Sequence, residues 1–176
     1  MHDTPYFIDF EASSLSHDSW PIEIAWGSNT DNITSCLISP AAVPAWTDWS
    51  VVAQEVHGIP RHELLNKGLP PAEVCEKVYA GLNNKIVYSD APRFDGYWLY
   101  TLFEGGQLPQ PQFQIRDIHE LLIAELSLTL EEQDDIIDHI ENSKRIARDK
   151  VKIQHRADYD VAYLIELWKL CGGTPA

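Results

Sequence analysis

Asp9 and Glu11 lie two residues apart in the run Tyr6-Phe7-Ile8-Asp9-Phe10-Glu11, alternating with Ile8 and Phe10. In an extended strand residues i and i+2 share a face, so the two carboxylates point the same way. Like charges held side by side repel, and a cation between them relieves the repulsion. Hard oxygen ligands of this kind suit Mg²⁺ or Mn²⁺. A third acid, Asp95, stands in Arg93-Phe94-Asp95-Gly96-Tyr97-Trp98-Leu99 at a predicted helix start. Asp is favoured there in any helix. Asp90, five residues earlier, reads as a turn residue. A fourth acid, Asp160, follows His155 with four residues between. Val161, Leu164, Ile165 and Trp168 give that segment a buried helical stripe. Asp160 lies beside the stripe, where an unpaired charge is costly. Taken singly, each of these residues also has an ordinary reading, as a frayed strand end, a helix-dipole partner or a solvent-facing histidine.

The elements that must carry these residues follow from hydrophobic period. Tyr6–Phe10, Ile22–Trp26 and Asn32–Ile38 read as strands, with Gly27–Asp31 as the hairpin turn of an antiparallel meander. Helical patterns follow at Asp48–Glu55 and, behind Pro70-Pro71, at Ala72–Leu82. Strands are predicted at Ile86–Tyr88 and Phe113–Ile115, and helices at Asp95–Phe103 and His119–Leu126. Thr129 with Glu132 forms a capping-box pattern that opens a helix to about Arg148. A last helix covers about Ala157–Leu170 and ends at Gly172-Gly173. Three strands followed by alternating helices and strands predict an α/β sandwich with a mixed sheet.

Composition narrows the class. The 176 residues fit one domain. The three cysteines are odd in number, far apart and without a CxxC pair, which speaks against a disulfide framework or a zinc site. No basic and apolar leader opens the chain, and no apolar run approaches the length of a membrane span, so a cytoplasmic protein is expected. The net charge of −14 is unusual for a nucleic-acid binder. The charge is segregated, however. Six of the thirteen Lys and Arg residues fall between Lys144 and Arg156, just after an acidic run from Glu131 to Glu141.

Together, and in this order, the three acidic segments resemble the DEDDh exonucleases of the RNase H-like superfamily, which include polymerase proofreading subunits, RNase T and oligoribonuclease. The strand with Asp9 and Glu11 matches the first motif, Phe94-Asp95 with Trp98-Leu99 the second, and His155 to Asp160 the third. Pro21-Ile22-Glu23-Ile24-Ala25 looks like the strand after the first motif, and Val56-His57-Gly58-Ile59 like the family's HGI turn before an α-helical stretch. The likeness spans about residues 6 to 170. It departs at Ala12-Ser13-Ser14-Leu15, where many relatives have Thr-Gly-Leu after the DxE, and at Ala91, where relatives often carry Asn.

The resemblance implies a single domain over residues 1–176 with an RNase H-like mixed β-sheet flanked by α-helices. It implies two divalent ions, Mg²⁺ or Mn²⁺, held by Asp9, Glu11, Asp95 and Asp160, with Asp9 shared between them and His155 as general base. The implied activity is a 3′–5′ exonuclease on single-stranded nucleic acid, RNA slightly favoured over DNA, that releases nucleoside 5′-monophosphates. Phe10, Ala12, Leu15, His57 and Ile59 would surround the terminal nucleotide; the alternative for them is core packing, the favoured reading for Phe10. Separately from the resemblance, Arg93 and Arg156, with others of the basic stretch, are expected either to follow the phosphates or to form a solvated helix end whose cations suit the C-terminal dipole. The competing expectations are a catalytically silent nucleic-acid-binding module of the same fold, and an unrelated acidic α/β protein whose carboxylates are caps and surface charges. Retention of all five catalytic residue types argues against the first, and the agreement of types and spacings against the second. Some relatives are dimers, which leaves a homodimer open.

Overall fold

The computed structural model describes residues 4–152 and 155–174. Its elements run β1 (Tyr6–Ala12), β2 (Pro21–Gly27), β3 (Ile33–Leu37), α1 (Val51–His57), α2 (Arg61–Lys67), α3 (Pro71–Leu82), β4 (Val87–Ser89), α4 (Pro92–Gly105), β5 (Ile115–Asp117), α5 (Ile118–Leu126), α6 (Gln133–Val151) and α7 (Ala157–Leu170). The strands form one mixed sheet in the order β3-β2-β1-β4-β5. β1 pairs antiparallel with β2 and parallel with β4, so it is the central strand. β2–β3 is antiparallel and β4–β5 parallel. This is an RNase H-like α/β arrangement.

A central strand is covered on both faces, which is why the apolar residues of β1 occupy both of its sides. Ile8, Phe10 and Ala12 face a core built with α3, α4 and Trp20. Phe7 faces a second core built with α5, α6 and α7, its ring 5.7 Å from that of Trp168. Asp9 and Glu11 continue the row of Phe7 and therefore open toward the start of α7. The register opposes Glu11 to Glu23 of β2, and the pairing shifts between Glu11 and Ala12.

Several boundaries differ from expectation. The first helix starts at Val51, because Ser50 supplies the N-cap by accepting from the Ala53 N–H at 3.2 Å. Asp48 stays in the loop, where its carboxylate accepts from the Ser14 hydroxyl. Gly58 ends that helix in the left-handed region at φ 69°. The seven-residue α2, which sequence periodicity did not single out, follows at once. α4 begins at Pro92, ahead of the expected start at Asp95, and Asp95 lies inside its first turn. The strand predicted at Phe113–Ile115 lies at Ile115–Asp117, and Asp117 caps α5 by accepting from His119 N–H at 2.8 Å. Thr129 does not cap α6: its hydroxyl donates to the Leu126 carbonyl at 3.2 Å, and α6 starts after Glu132 without a side-chain cap. Among the described residues no helix is long and apolar enough to cross a membrane.

Candidate active site

The carboxyl ends of β1 and β4 and the first turns of α4 and α7 converge. This is where ligands settle in open α/β sheets. One oxygen each from Asp9, Glu11 and Asp160 lie within 4.8 Å of one another. One oxygen each from Asp9, Asp90 and Asp95 do the same. Asp9 thus belongs to both groups. Asp95 is 1% exposed, and its Oδ2 has no hydrogen-bond partner among the described residues. A buried carboxylate oxygen left unpaired is costly, so this atom fits a cation ligand.

The packing raises the proton affinity of the cluster. Burial first, then the charges of Asp95, Asp160, Glu11 and Asp90, hold Asp9 well above the ordinary carboxylate range. Burial, then Asp160 and Glu23, push Glu11 up to about 8. Burial, opposed by a hydrogen bond from Ser89 and reinforced by Asp90, pushes Asp95 up to about 8. Burial and the Asp90 charge push Asp160 up to about 6. Like charges confined in a poorly solvated space cannot all ionise without a counter-charge. Hard oxygen donors so arranged suit a divalent cation.

His155 stands exposed just ahead of α7, with φ 48°. Its charge, when present, favours ionised Asp160.

α7 has no cap from its own segment. Glu23 supplies one from β2: its Oε2 accepts from the Ala157 N–H at 3.2 Å and from Arg156 Nε at 2.9 Å, and its Oε1 accepts from Arg156 Nη2 at 2.6 Å and from the Ser35 hydroxyl at 3.2 Å. Arg156, expected on a phosphate, is thus held as a two-pronged partner of a carboxylate that is 1% exposed. Sequence reasoning placed Glu23 in a half-buried strand and gave it no role; the structure buries that strand throughout. Arg156 is 38% exposed and can be rehydrated, so loss of Glu23 forfeits charged hydrogen bonds, about 1.5–3 kcal/mol, and strands no buried charge. Glu23→Ala is therefore expected to destabilise the protein by about that amount in denaturant unfolding. A loss below about 1 kcal/mol, the range of a surface pair, would show that the pair holds nothing.

Beside Glu11 an apolar cavity of about 300 Å³ is lined by Phe10, Ala12, Leu15, Val52, Val56 and His57, among others. That is the small end of the range for small-molecule sites, roughly 300–1,000 Å³. The walls are tied together: Ser50 N–H donates to the Ser13 carbonyl at 2.9 Å, and Trp20 Nε1 to the Asp48 carbonyl at 2.8 Å. His57 Nδ1 accepts from the Ile59 N–H at 3.0 Å, which leaves the proton on Nε2. Burial lowers this imidazole to about 4, so it is neutral. Its Nε2 is buried without a partner among the described residues. Ile59, expected at the terminal base, is 2% exposed and packs in the core. Arg93 lines an adjoining cleft of about 420 Å³ with His17, Phe94 and Tyr97, and Leu15 borders both spaces. Leu15 is 77% exposed.

The rest of the basic stretch is mostly partnered. Lys144 pairs with Glu141 at 2.8 Å, Lys150 with Glu166, and Arg145 donates to Asn142 Oδ1 at 2.8 Å. Arg148 sits 5.7 Å from the centre of the Tyr163 ring.

Fold and site together define an RNase H-like α/β protein with a carboxylate cluster at the carboxyl ends of its central strands. No protein-family model matches the chain, and no curated protein does. Among solved structures, it is similar to Exonuclease I of E. coli in complex with a dT13 oligonucleotide, with 19% identity, a TM-score of 0.65, and coverage of 96% of this chain and 41% of that one. The zinc-bound form of the E. coli ExoI–ssDNA complex aligns at 17% identity and TM-score 0.64, over 97% and 40% of the two chains. The E. coli enzyme with a 5cy-dT13 oligonucleotide aligns at 20% and 0.63, over 97% and 40%. The chain thus spans about two-fifths of the length of these neighbours, and at such identity the likeness is one of fold.

Proposed function

We propose that this chain is a 3′–5′ exonuclease that hydrolyses phosphodiester bonds at the 3′ end of single-stranded nucleic acid and releases nucleoside 5′-monophosphates. The observation that carries the reading is the pair of carboxylate groups joined through Asp9, with the unpaired buried Asp95 Oδ2 between strand and helix. Asp9, Glu11, Asp95 and Asp160 would hold two Mg²⁺ or Mn²⁺ ions. Such ions, when bound, lower the pKa of water and stabilise a leaving oxygen. Everything else is done by the chain. His155 takes the proton of the attacking water at a ring nitrogen. The cavity beside Glu11 seats the terminal nucleoside. The cleft with Arg93, Phe94 and Tyr97 gives the preceding nucleotide an aromatic wall and a cation. A cavity this small admits one unpaired residue of a strand, which favours single-stranded ends.

The resemblance read from sequence leaned toward RNA. The solved neighbours hold deoxyoligonucleotides, so DNA is the first polymer to test. The test is degradation of 5′-labelled single-stranded DNA and RNA with Mg²⁺ or Mn²⁺, and with EDTA. A ladder shortening from the 3′ end, lost with EDTA, is expected. His155→Ala should cut at about 10²–10⁴-fold lower rate, the usual share of a general base, while binding Mn²⁺ like the wild type. Binding of labelled strands without cleavage would instead mark a silent nucleic-acid-binding module.

A further inference from the structure

We propose that Asp90 is a cation ligand, completing with Asp9 and Asp95 a site made of three protein carboxylates. The inference deepens the exonuclease reading and rests on the same cluster, but Asp90 lies outside the five residues that the sequence resemblance supplies. β4 ends at Ser89, so Asp90 leaves the sheet at the carboxyl end of the strand that pairs parallel with β1. In sequence it passes for a turn residue, and the structure gives that work to its neighbour. The Ala91 N–H of the turn donates to Ser89 Oγ at 3.2 Å, not to Asp90. Among the described residues the Asp90 carboxylate forms no ion pair; the charges of His119 and Arg148 act on it from farther off, and it faces Asp9 and Asp95. Its oxygen lies within 4.8 Å of an oxygen of each. Ligands at about 2.0–2.6 Å from one ion stand within about 4–5 Å of each other. The second observation is independent of the acidic count: Asp95, 1% exposed, keeps Oδ2 buried and unpartnered. Asp90 is exposed, so a cation can be reached from solvent on that side.

The consequence concerns loading. A site with one carboxylate beyond the shared Asp9 depends on substrate phosphate to hold its ion. A site with three carries enough negative charge to fill before substrate arrives. The metal-free protein should therefore bind two Mn²⁺ ions without nucleic acid.

The experiment is Mn²⁺ titration of the metal-free protein, read by calorimetry and by the electron paramagnetic signal of free Mn²⁺. Wild type is expected to bind two ions. Asp90→Asn and Asp90→Ala should keep one and weaken the other at least about 10-fold, since even groups behind the direct ligands are worth about 10–100-fold in metal affinity. Asp160→Asn should weaken the other ion and leave the Asp90-dependent one. Asp90 is exposed, so both Asp90 variants should melt as folded proteins. Two ions bound with wild-type affinities in both variants would overturn the assignment, as would a single ion in the wild type. A wild type that binds two ions, loses one with Asp90, and cuts no polymer removes the exonuclease reading and leaves Asp90 a ligand.

Discussion

Asn in place of Asp9 is expected to abolish turnover and, at the same time, to raise the melting temperature of the metal-free protein. Asp9 is the one carboxylate common to both groups of converging oxygens. Its loss removes ligand charge from both, and metal-ion charge stabilisation is worth several kcal/mol in such reactions. At 1.36 kcal/mol per decade this is at least about 10³-fold in kcat. Asn has nearly the same shape, so the strand and its neighbours Ile8 and Phe10 keep their packing. The stabilising half of the prediction comes from electrostatics. Without a cation, an ionised Asp9 sits among Asp95, Asp160, Glu11 and Asp90, and each of them works against its charge. A neutral amide ends four repulsions at once. The two measurements are kcat with Mn²⁺ and thermal melting in EDTA at pH 8.5. A wild-type rate would place the chemistry elsewhere. An unchanged or lower melting temperature would mean that Asp9 keeps its proton at pH 8.5 or that the cluster carries little repulsion.

How much of this was legible in the sequence depends on distance along the chain. The shared face of Asp9 and Glu11 followed from a period of two, and β1 lies where that pattern put it. The meander of β1 to β3 and the last helix were legible because their apolar periods are clean, and the mixed sheet followed from the order of elements although β4 and β5 are three residues each. What failed was local or remote. Thr129 and Glu132 have capping-box spacing, but Leu126 ends α5 close by and its carbonyl takes the Thr129 hydroxyl. α2 is two turns long, too short to show a period beside the His57-Gly58-Ile59-Pro60 turn. The role of Glu23 could not be read, because its partner Arg156 is 133 residues away. Arg156 next to His155 looked like a phosphate ligand only while Glu23 was out of view. Asp90 was hidden differently: a carboxylate after a strand is ordinary turn chemistry, and only the position of Ser89 Oγ frees it from that role.

The unmodified protein carries the same electrostatics into its response to pH. In EDTA its melting temperature is expected to fall as pH rises from 6.5 to 8.5. Glu11 moves from 4.5 in the unfolded chain to about 8, and Asp95 from 3.8 to about 8. Between those values the native state binds more protons than the unfolded state, so stability falls with rising pH. The contribution is whole below about pH 4 and is lost as pH passes the folded values near 8. Asp160, at about 6, loses its share earlier. His57 acts in the opposite direction: lowered from 6.5 to about 4, it makes the native state bind fewer protons in that window and so gains stability as pH rises to 6.5. Below pH 6.5 the two trends offset, and above it the carboxylates act alone. Each kcal/mol lost lowers the melting temperature by roughly 2–4 °C in a chain of this size. Mn²⁺ should reverse the fall, because cations bind the ionised cluster and displace its remaining protons. Its stabilising increment at fixed concentration should therefore grow from pH 6.5 to 8.5. Melting curves at three pH values in that interval, with EDTA and with Mn²⁺, measure both slopes. A level curve in EDTA would show that Glu11 and Asp95 are already ionised at pH 6.5, and an equal Mn²⁺ increment at every pH would show that the ion binds away from them.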